Sequence, residues 1–248
     1  MNTSVKVTFS IGHDTYNCGI DDALTLLNGA RRDTAYPMFA NTELDVHVGT
    51  DNPYWQLIRL MARNEPAWPG DDEWQVGWFS PRRPYPTANR SEMCKTFAWS
   101  IPSPADLLWI KAHLGGRDMV EIGAGAGYWA WQLRQLGVDV AAYDNKSWEV
   151  EQQWADVQIG DEAAAGLHPD RALLLVWPPY DDPMAAAALS HYSGDTVIFA
   201  GEADGGCTAD DAFYQALATG WVEIGQAPYH PTYWGIHCRL TAYRRQEA

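Results

Sequence analysis

Three glycines occupy alternate positions in Val120-Glu121-Ile122-Gly123-Ala124-Gly125-Ala126-Gly127, where a short apolar strand gives way to a helix. A turn of this spelling takes backbone conformations and close approaches that a Cβ would obstruct, as a chain must when a ligand lies directly against its main chain. Asp144 follows about twenty residues later at the end of a second apolar strand, where a carboxylate can accept hydrogen bonds from both hydroxyls of a ribose. Without a ligand, the same residues would make only a tight turn and a solvated strand end.

A second group begins at Leu173-Leu174-Leu175-Val176-Trp177-Pro178-Pro179-Tyr180. Paired prolines cannot continue a strand ladder, and they hold the next residues at a fixed angle just where ligands bind beyond the carboxyl ends of parallel strands. Trp177 and Tyr180 would offer flat walls there, or Trp177 is a core aromatic and the prolines a strand stop. Asp181 and Asp182 follow, and Glu202 stands just past a later strand. Each carboxylate can orient or deprotonate an acceptor, although two aspartates before Pro183 also read as a helix entry. His191 and His237 are further candidates for proton transfer.

The glycine turn is not a dinucleotide fingerprint, because Tyr128 takes the place of the third glycine in G-x-G-x-x-G. Its E-x-G-x-G-x-G spelling resembles motif I of class I S-adenosylmethionine (SAM)-dependent methyltransferases, and the likeness extends over roughly Ser103 to Arg245. The resemblance implies a Rossmann-like fold with SAM as cofactor. Glu121, Gly123, Gly125 and Gly127 would form the turn that cradles the methionine portion, Asp144 would hold the ribose, and Asp161 would meet the adenine amino group. A Gly160-Asp161 pair is also ordinary turn chemistry.

Trp177 to Tyr180 is similar to motif IV of the amino-methylating members, with Trp177 in place of the usual Asn or Asp. Indole has one donor and a π-face but no acceptor, so the departure weakens the case for exocyclic amine chemistry. Trp99-Ser100-Ile101-Pro102-Ser103 falls where similar enzymes border the methyl donor. The overall arrangement is similar to bacterial methyltransferase-like proteins.

Regular elements must position these residues. Ser103-Pro104 has the cap-then-proline form of a helix start, with a stop at Gly115-Gly116. Beyond it, strands are expected over 118–122, 138–143, 157–159, 172–177 and 196–200, alternating with helices through Leu136, over 184–189 and over 210–218. This alternation predicts an α/β, doubly wound, mostly parallel seven-stranded sheet. Two closing strands, 221–224 and 236–243, have no helix between them and are expected as an antiparallel pair at the sheet edge. Residues 1–102 form an N-terminal cap segment and 103–248 the cofactor-binding domain. In the cap, helices are expected from Asp21-Asp22 through Leu27, with Gly29 as stop, and from Asn52-Pro53 through Ala62. Between Glu65 and Asn89 five prolines exclude a long helix. Trp74, Trp78, Phe79 and Tyr85 add aromatic surface there.

The chain has 248 residues and a formal net charge of -15, so its average surface repels nucleic acid. Paired arginines at 31–32, 82–83 and 244–245 are too sparse to reverse that. Four scattered cysteines form no C-x-x-C pair and suit a reduced, cytoplasmic protein without a metal site. No signal-peptide pattern or long apolar run marks a secreted or membrane-spanning chain. The expected reaction is methyl transfer from SAM to an oxygen or nitrogen of a small or medium-sized organic acceptor. Methylation of a base in nucleic acid or a nucleoside is the alternative enzyme, and a non-catalytic cofactor-binding regulatory module is the alternative of another class.

Overall fold

A computed structural model describes residues 5–11, 14–29, 39–40, 42, 46, 48–63, 86–88, 90–233 and 235–246. The proline-rich stretch expected to be loop lies outside them apart from 86–88, as do Trp74, Trp78, Phe79, Tyr85 and two of the three arginine pairs.

In the N-terminal part, β1 (Lys6–Ile11) and β2 (Asp14–Gly19) form an antiparallel pair, and α1 (Ile20–Gly29) follows. Val7 and Phe9 are buried on alternate positions of β1, the period of a strand with one covered face. Next come β3 (Phe39–Ala40), α2 (Pro53–Arg63), β4 (Pro86–Ala88), which adds to the other edge of β1, and α3 (Arg90–Thr96). Along α2, Tyr54, Leu57, Ile58 and Met61 are buried at helical spacing. Gly29, expected as a stop, is the last residue of α1 itself.

The regular part starts with α4 (Pro104–Leu114), whose N-cap Ser103 makes a reciprocal capping box with Asp106; Gly115 closes the helix in the left-handed region. The chain then runs through β5 (Met119–Ile122), α5 (Tyr128–Gln135), β6 (Val140–Asp144), β7 (Gln158–Ile159), a 3-10 helix over Glu162–Leu167 and β8 (Ala172–Val176). It continues with α6 (Met184–His191), β9 (Thr196–Gly201), α7 (Asp211–Gly220), β10 (Trp221–Gln226), β11 (Thr232–Tyr233) and β12 (Arg239–Arg245).

Seven of these strands make one sheet in the order β10-β12-β9-β8-β5-β6-β7. β5 through β9 are parallel, and β12 runs antiparallel to both β9 and β10. This is the Rossmann-like, doubly wound arrangement with an antiparallel last strand. The closing strands do pair, but β12 inserts beside β9 and leaves β10 at the edge. β12 also begins three residues later than expected, because 236–238 belong to a loop in which the His237 N–H reaches the Glu202 carboxylate (2.7 Å).

Alternation within the strands sends side chains to two cores. Leu174, Ile198 and Leu240 pack with Leu107, Ile110 and Leu133 of α4 and α5. Leu173, Leu175, Val197 and Phe199 pack on the other face with Ala185 and Leu189 of α6 and Phe213 of α7. Buried on both faces, β8 and β9 read as continuous apolar runs. A third core joins the N-terminal elements to α5 and to β11: Phe9, Leu57, Met61, Phe97, Tyr128 and Tyr233 share it. Trp131 and Trp154 pack against its margin.

Candidate functional site

At the carboxyl end of β5 the main chain turns through Gly123, Gly125 and Gly127, all with positive φ (74°, 53° and 71°). The Gly123 and Ala124 N–H groups both donate to the Tyr143 carbonyl (2.9 Å each). Gly125 N–H donates to Asp144 Oδ2 (2.8 Å), and Lys146 N–H to Asp144 Oδ1 (2.7 Å). Asp144 thus ties the glycine turn to the end of β6 and leaves each oxygen a second lone pair. A Cβ on Gly127 would lie 2.7 Å from Val157 Cγ2, so close packing requires glycine there. A Cβ on Gly125 would meet no protein atom within 4 Å; it would project into open space.

That space is a cavity on whose walls Glu121, Gly123, Gly125, Asp144, Asp161 and Trp177 come together. Trp99, Trp148, Pro179 and Asp182 line it as well. Trp99 and Trp148 meet edge to face, with ring centroids 5.3 Å apart. Asp161 caps the 3-10 helix by accepting from Ala163 N–H (3.1 Å). Asp182 Oδ1 accepts from Met184 N–H (2.9 Å) at the start of α6.

Glu121 is the most unusual wall residue. It is buried, and its Oε2 has no hydrogen-bond partner. Burial raises its pKa to about 8, against the opposing pull of the Ala130 N–H and the Arg134 charge, and the neighbouring Asp144 raises it further. A buried acceptor of this kind is costly unless something donates to it.

Trp177 closes β8 with its N–H on the Ala200 carbonyl (2.7 Å) and a positive φ of 49°, a conformation an L side chain rarely adopts. Tyr180 and Asp181 are not on the cavity wall. Tyr180 is 69% exposed, and Asp181, also at positive φ, donates its N–H to the Ala209 carbonyl. Glu202 is not on that wall either. Its Oε2 accepts from Cys207 N–H (2.6 Å) and its Oε1 from His237 N–H, so its carboxylate holds together the loops beyond β9 and before β12. His191 is exposed at the end of α6.

Arg90, Asp106 and His230 escaped the sequence reading, which named Ser100 only within the Trp99 to Ser103 segment. Arg90 packs over Trp177 and Trp99. Ser100 Oγ lies 2.9 Å from His230 Nε2, and His230 Nδ1 lies 3.0 Å from Asp106 Oδ2. This has the order of a nucleophile-base-acid relay. It is not one, because Ser100 is only 3% exposed and the Asp106 carboxylate and Cys238 outweigh burial to push His230 up to about 10. An imidazole already protonated cannot take a proton from serine. The only available signal was Ser103-x-x-Asp106, which spells a capping box. Among the described residues, no group of His, Cys, Asp and Glu is arranged to hold a metal ion. None of their helices is long and apolar enough to cross a membrane.

No protein-family model matches the sequence, and no curated protein matches it. Among solved structures, the chain is similar to a magnesium protoporphyrin IX methyltransferase from Synechocystis with bound SAM, at 15% identity over 56% of this chain and 76% of that one, with a TM-score of 0.40. It is similar to a SAM-dependent methyltransferase from Corynebacterium glutamicum at 16% identity over 57% of this chain and 86% of that one, with a TM-score of 0.40. It is also similar to a 1,6-didemethyltoxoflavin N1-methyltransferase from Burkholderia thailandensis, at 18% identity over 58% of this chain and 77% of that one, with a TM-score of 0.38.

Proposed function

We propose that the chain is a class I SAM-dependent methyltransferase acting on an oxygen or nitrogen of a small or medium-sized organic acceptor. The observation that carries this reading is that Glu121, whose buried Oε2 has no hydrogen-bond partner, lines the same cavity as the open backbone of Gly125. A buried carboxylate without a donor favours a ligand that brings a cationic one, such as the ammonium of a methionine portion. Asp144, with both oxygens held in place by backbone N–H groups and a lone pair spare on each, suits two vicinal hydroxyls. Asp161 lies on the same wall for an exocyclic amine. The residues present therefore fit an aminoacyl nucleoside that is positively charged.

When bound, SAM supplies a methyl carbon on a sulfonium leaving group. The chain's own task is then to align the nucleophile, exclude water and accept a proton where one must leave. Trp99, Trp148 and Trp177 provide the apolar walls for alignment. Asp182 would accept the proton, a role supported by its position on the cavity wall and by the Met184 N–H that holds its Oδ1.

Calorimetry with SAM, S-adenosylhomocysteine and NAD tests the cofactor. The two adenosyl compounds should bind and raise the melting temperature, with about 2.7 kcal/mol of stabilisation at a hundred times the dissociation constant. Binding of NAD and of neither adenosyl compound would overturn the reading. Formation of S-adenosylhomocysteine in the presence of an extract, followed by the mass of the methylated product, separates an enzyme from a regulatory module.

A further inference from the structure

Among the described residues, the charged side chains that line the cavity are Glu121, Asp144, Asp161, Glu162 and Asp182, and all are acidic. Glu121, Asp144 and Asp161 belong to the cofactor in the reading above. Asp182 reaches the cavity from a different direction. The sheet order places β8 and β6 on opposite sides of β5, with Asp144 at the end of β6 and Asp161 just after β7 beyond it. Asp182 comes instead from the loop after β8, the same loop that gives the cavity Trp177 and Pro179. Its Oδ1 is fixed by the Met184 N–H (2.9 Å), and its side chain is exposed, so Oδ2 can take a further donor.

The indoles beside Asp182 are already engaged by a cation. Arg90, which is not on the cavity wall, has its Cζ 4.3 Å from the centre of the Trp177 ring, 4.9 Å from that of Trp99 and 5.7 Å from that of Tyr233. A guanidinium on those rings draws on the same π density that would attract a second cation. Trp177 and Trp99 therefore offer a ligand flat apolar contact, and Asp182 is left to receive its positive charge. A carboxylate or phosphate on the ligand would meet no counter-charge on the described wall and would be repelled by Asp182. A neutral hydroxyl could donate one hydrogen bond to that oxygen, whereas an ammonium makes a charge-assisted one, roughly twice as strong.

We infer that the acceptor is an arylalkylamine, bound as its ammonium with the charged nitrogen on Asp182 and the ring along Trp177 and Trp99. Methyl transfer to this amine rests on the methyltransferase reading; the ammonium preference of the cavity does not. Trp177 in place of the polar first member of motif IV is consistent with such an acceptor, because an alkylammonium takes its hydrogen-bond acceptor from Asp182 and needs none at position 177. For transfer, the ammonium gives one proton to the Asp182 carboxylate, which later passes it to water. The freed nitrogen lone pair forms the bond to the methyl carbon as the C–S electron pair departs on sulfur, leaving S-adenosylhomocysteine and an N-methylated ammonium.

The probes are 2-phenylethylamine, the neutral 2-phenylethanol and the anionic 3-phenylpropionate. Each is titrated by calorimetry into the full chain with and without S-adenosylhomocysteine, at about 0.15 M salt, where charges more than about 8 Å away are largely screened. The amine should bind about fivefold or more tightly than the alcohol, and the acid more weakly than either. In Asp182→Asn, which keeps an oxygen for the Met184 N–H, amine and alcohol should bind nearly alike; in Asp144→Asn the amine preference should remain. The comparison of the three compounds on the unchanged protein needs no variant, so it stands even where a variant misfolds. Equal affinity for amine and alcohol, tighter binding of the acid, or no binding of the amine each overturns the inference. So does a preference that survives in folded Asp182→Asn or is lost in folded Asp144→Asn. If S-adenosylhomocysteine fails to bind while the amine preference and its dependence on Asp182 persist, the methyltransferase reading falls and the ammonium site stands. Binding of S-adenosylhomocysteine without an amine preference sinks the ammonium site alone.

Discussion

Burial pushes the titration of Glu121 from an ordinary 4.5 up to about 8, so this carboxyl keeps its proton at neutral pH. Because the folded-state value lies above the unfolded one, the group's contribution to stability is full below pH 4.5 and is lost as the pH rises through about 8. Glu121→Gln should flatten that part of the stability profile in denaturant titrations across the range. A cation held at Oε2 favours the carboxylate, so cofactor binding at neutral pH should release about one proton from this group. Calorimetry in two buffers of different ionisation enthalpy would show that release in the parent and its loss in Glu121→Gln. Gly125 gives a second prediction at this scale. Gly125→Ala meets no protein atom and carries only the cost of a left-handed alanine, about 1 kcal/mol, yet its methyl enters the cavity. The melting temperature should change little, while affinity for S-adenosylhomocysteine falls by about tenfold or more. An unchanged affinity would remove the glycine turn from the site. The glycine turn itself was legible in the sequence because a turn at the end of a strand demands unusual backbone angles over a few adjacent positions. Arg90 was not, since its ring partners Trp177 and Tyr233 come from distant strand ends and only folding brings them together.

At the scale of elements, the start of α4 is pinned from two sides. The capping box satisfies its first turn locally, and Asp106 also receives His230 from the segment between β10 and β11. His230 titrates at about 10 instead of 6.5, so the stabilisation it brings is full below pH 6.5 and is lost progressively as the pH rises to about 10. His230→Ala strands a buried carboxylate and should cost about 3–5 kcal/mol at neutral pH. The variant should also lose the decline in stability on the alkaline side, and denaturant unfolding at several pH values reads both effects. A cost below about 1 kcal/mol would mean that the pair is not held as described. The strands β8 and β9 were legible because burial on both faces leaves no polar alternation. The neighbour taken by β12 was not, because a strand's own residues do not specify which of two edges it joins. Likewise Glu202 reads as a candidate base from its place after β9, while its occupation by two backbone donors depends on loops far along the chain.

Over the whole molecule, the net charge of -15 sets the long-range field. Binding to bulk DNA or RNA at physiological salt should be weak, since there is little counterion release to drive it. A tight complex with steep salt dependence in a filter-binding or anisotropy titration would instead favour base methylation. The N-terminal elements and the seven-stranded sheet meet at Tyr128, the residue that displaces a dinucleotide-type third glycine. Its hydroxyl donates to Asn52 Oδ1 (2.8 Å) and accepts from Tyr54 N–H (3.0 Å), and its ring packs edge-on against Tyr54, Phe97 and Trp154. A shortened protein starting at Ser103 would bring this first residue of α5 to the surface together with Trp131 and Trp154. Freshly uncovered aromatic area of that kind makes chains self-associate, so the smallest piece worth expressing for ligand work has to retain the residues that precede α4.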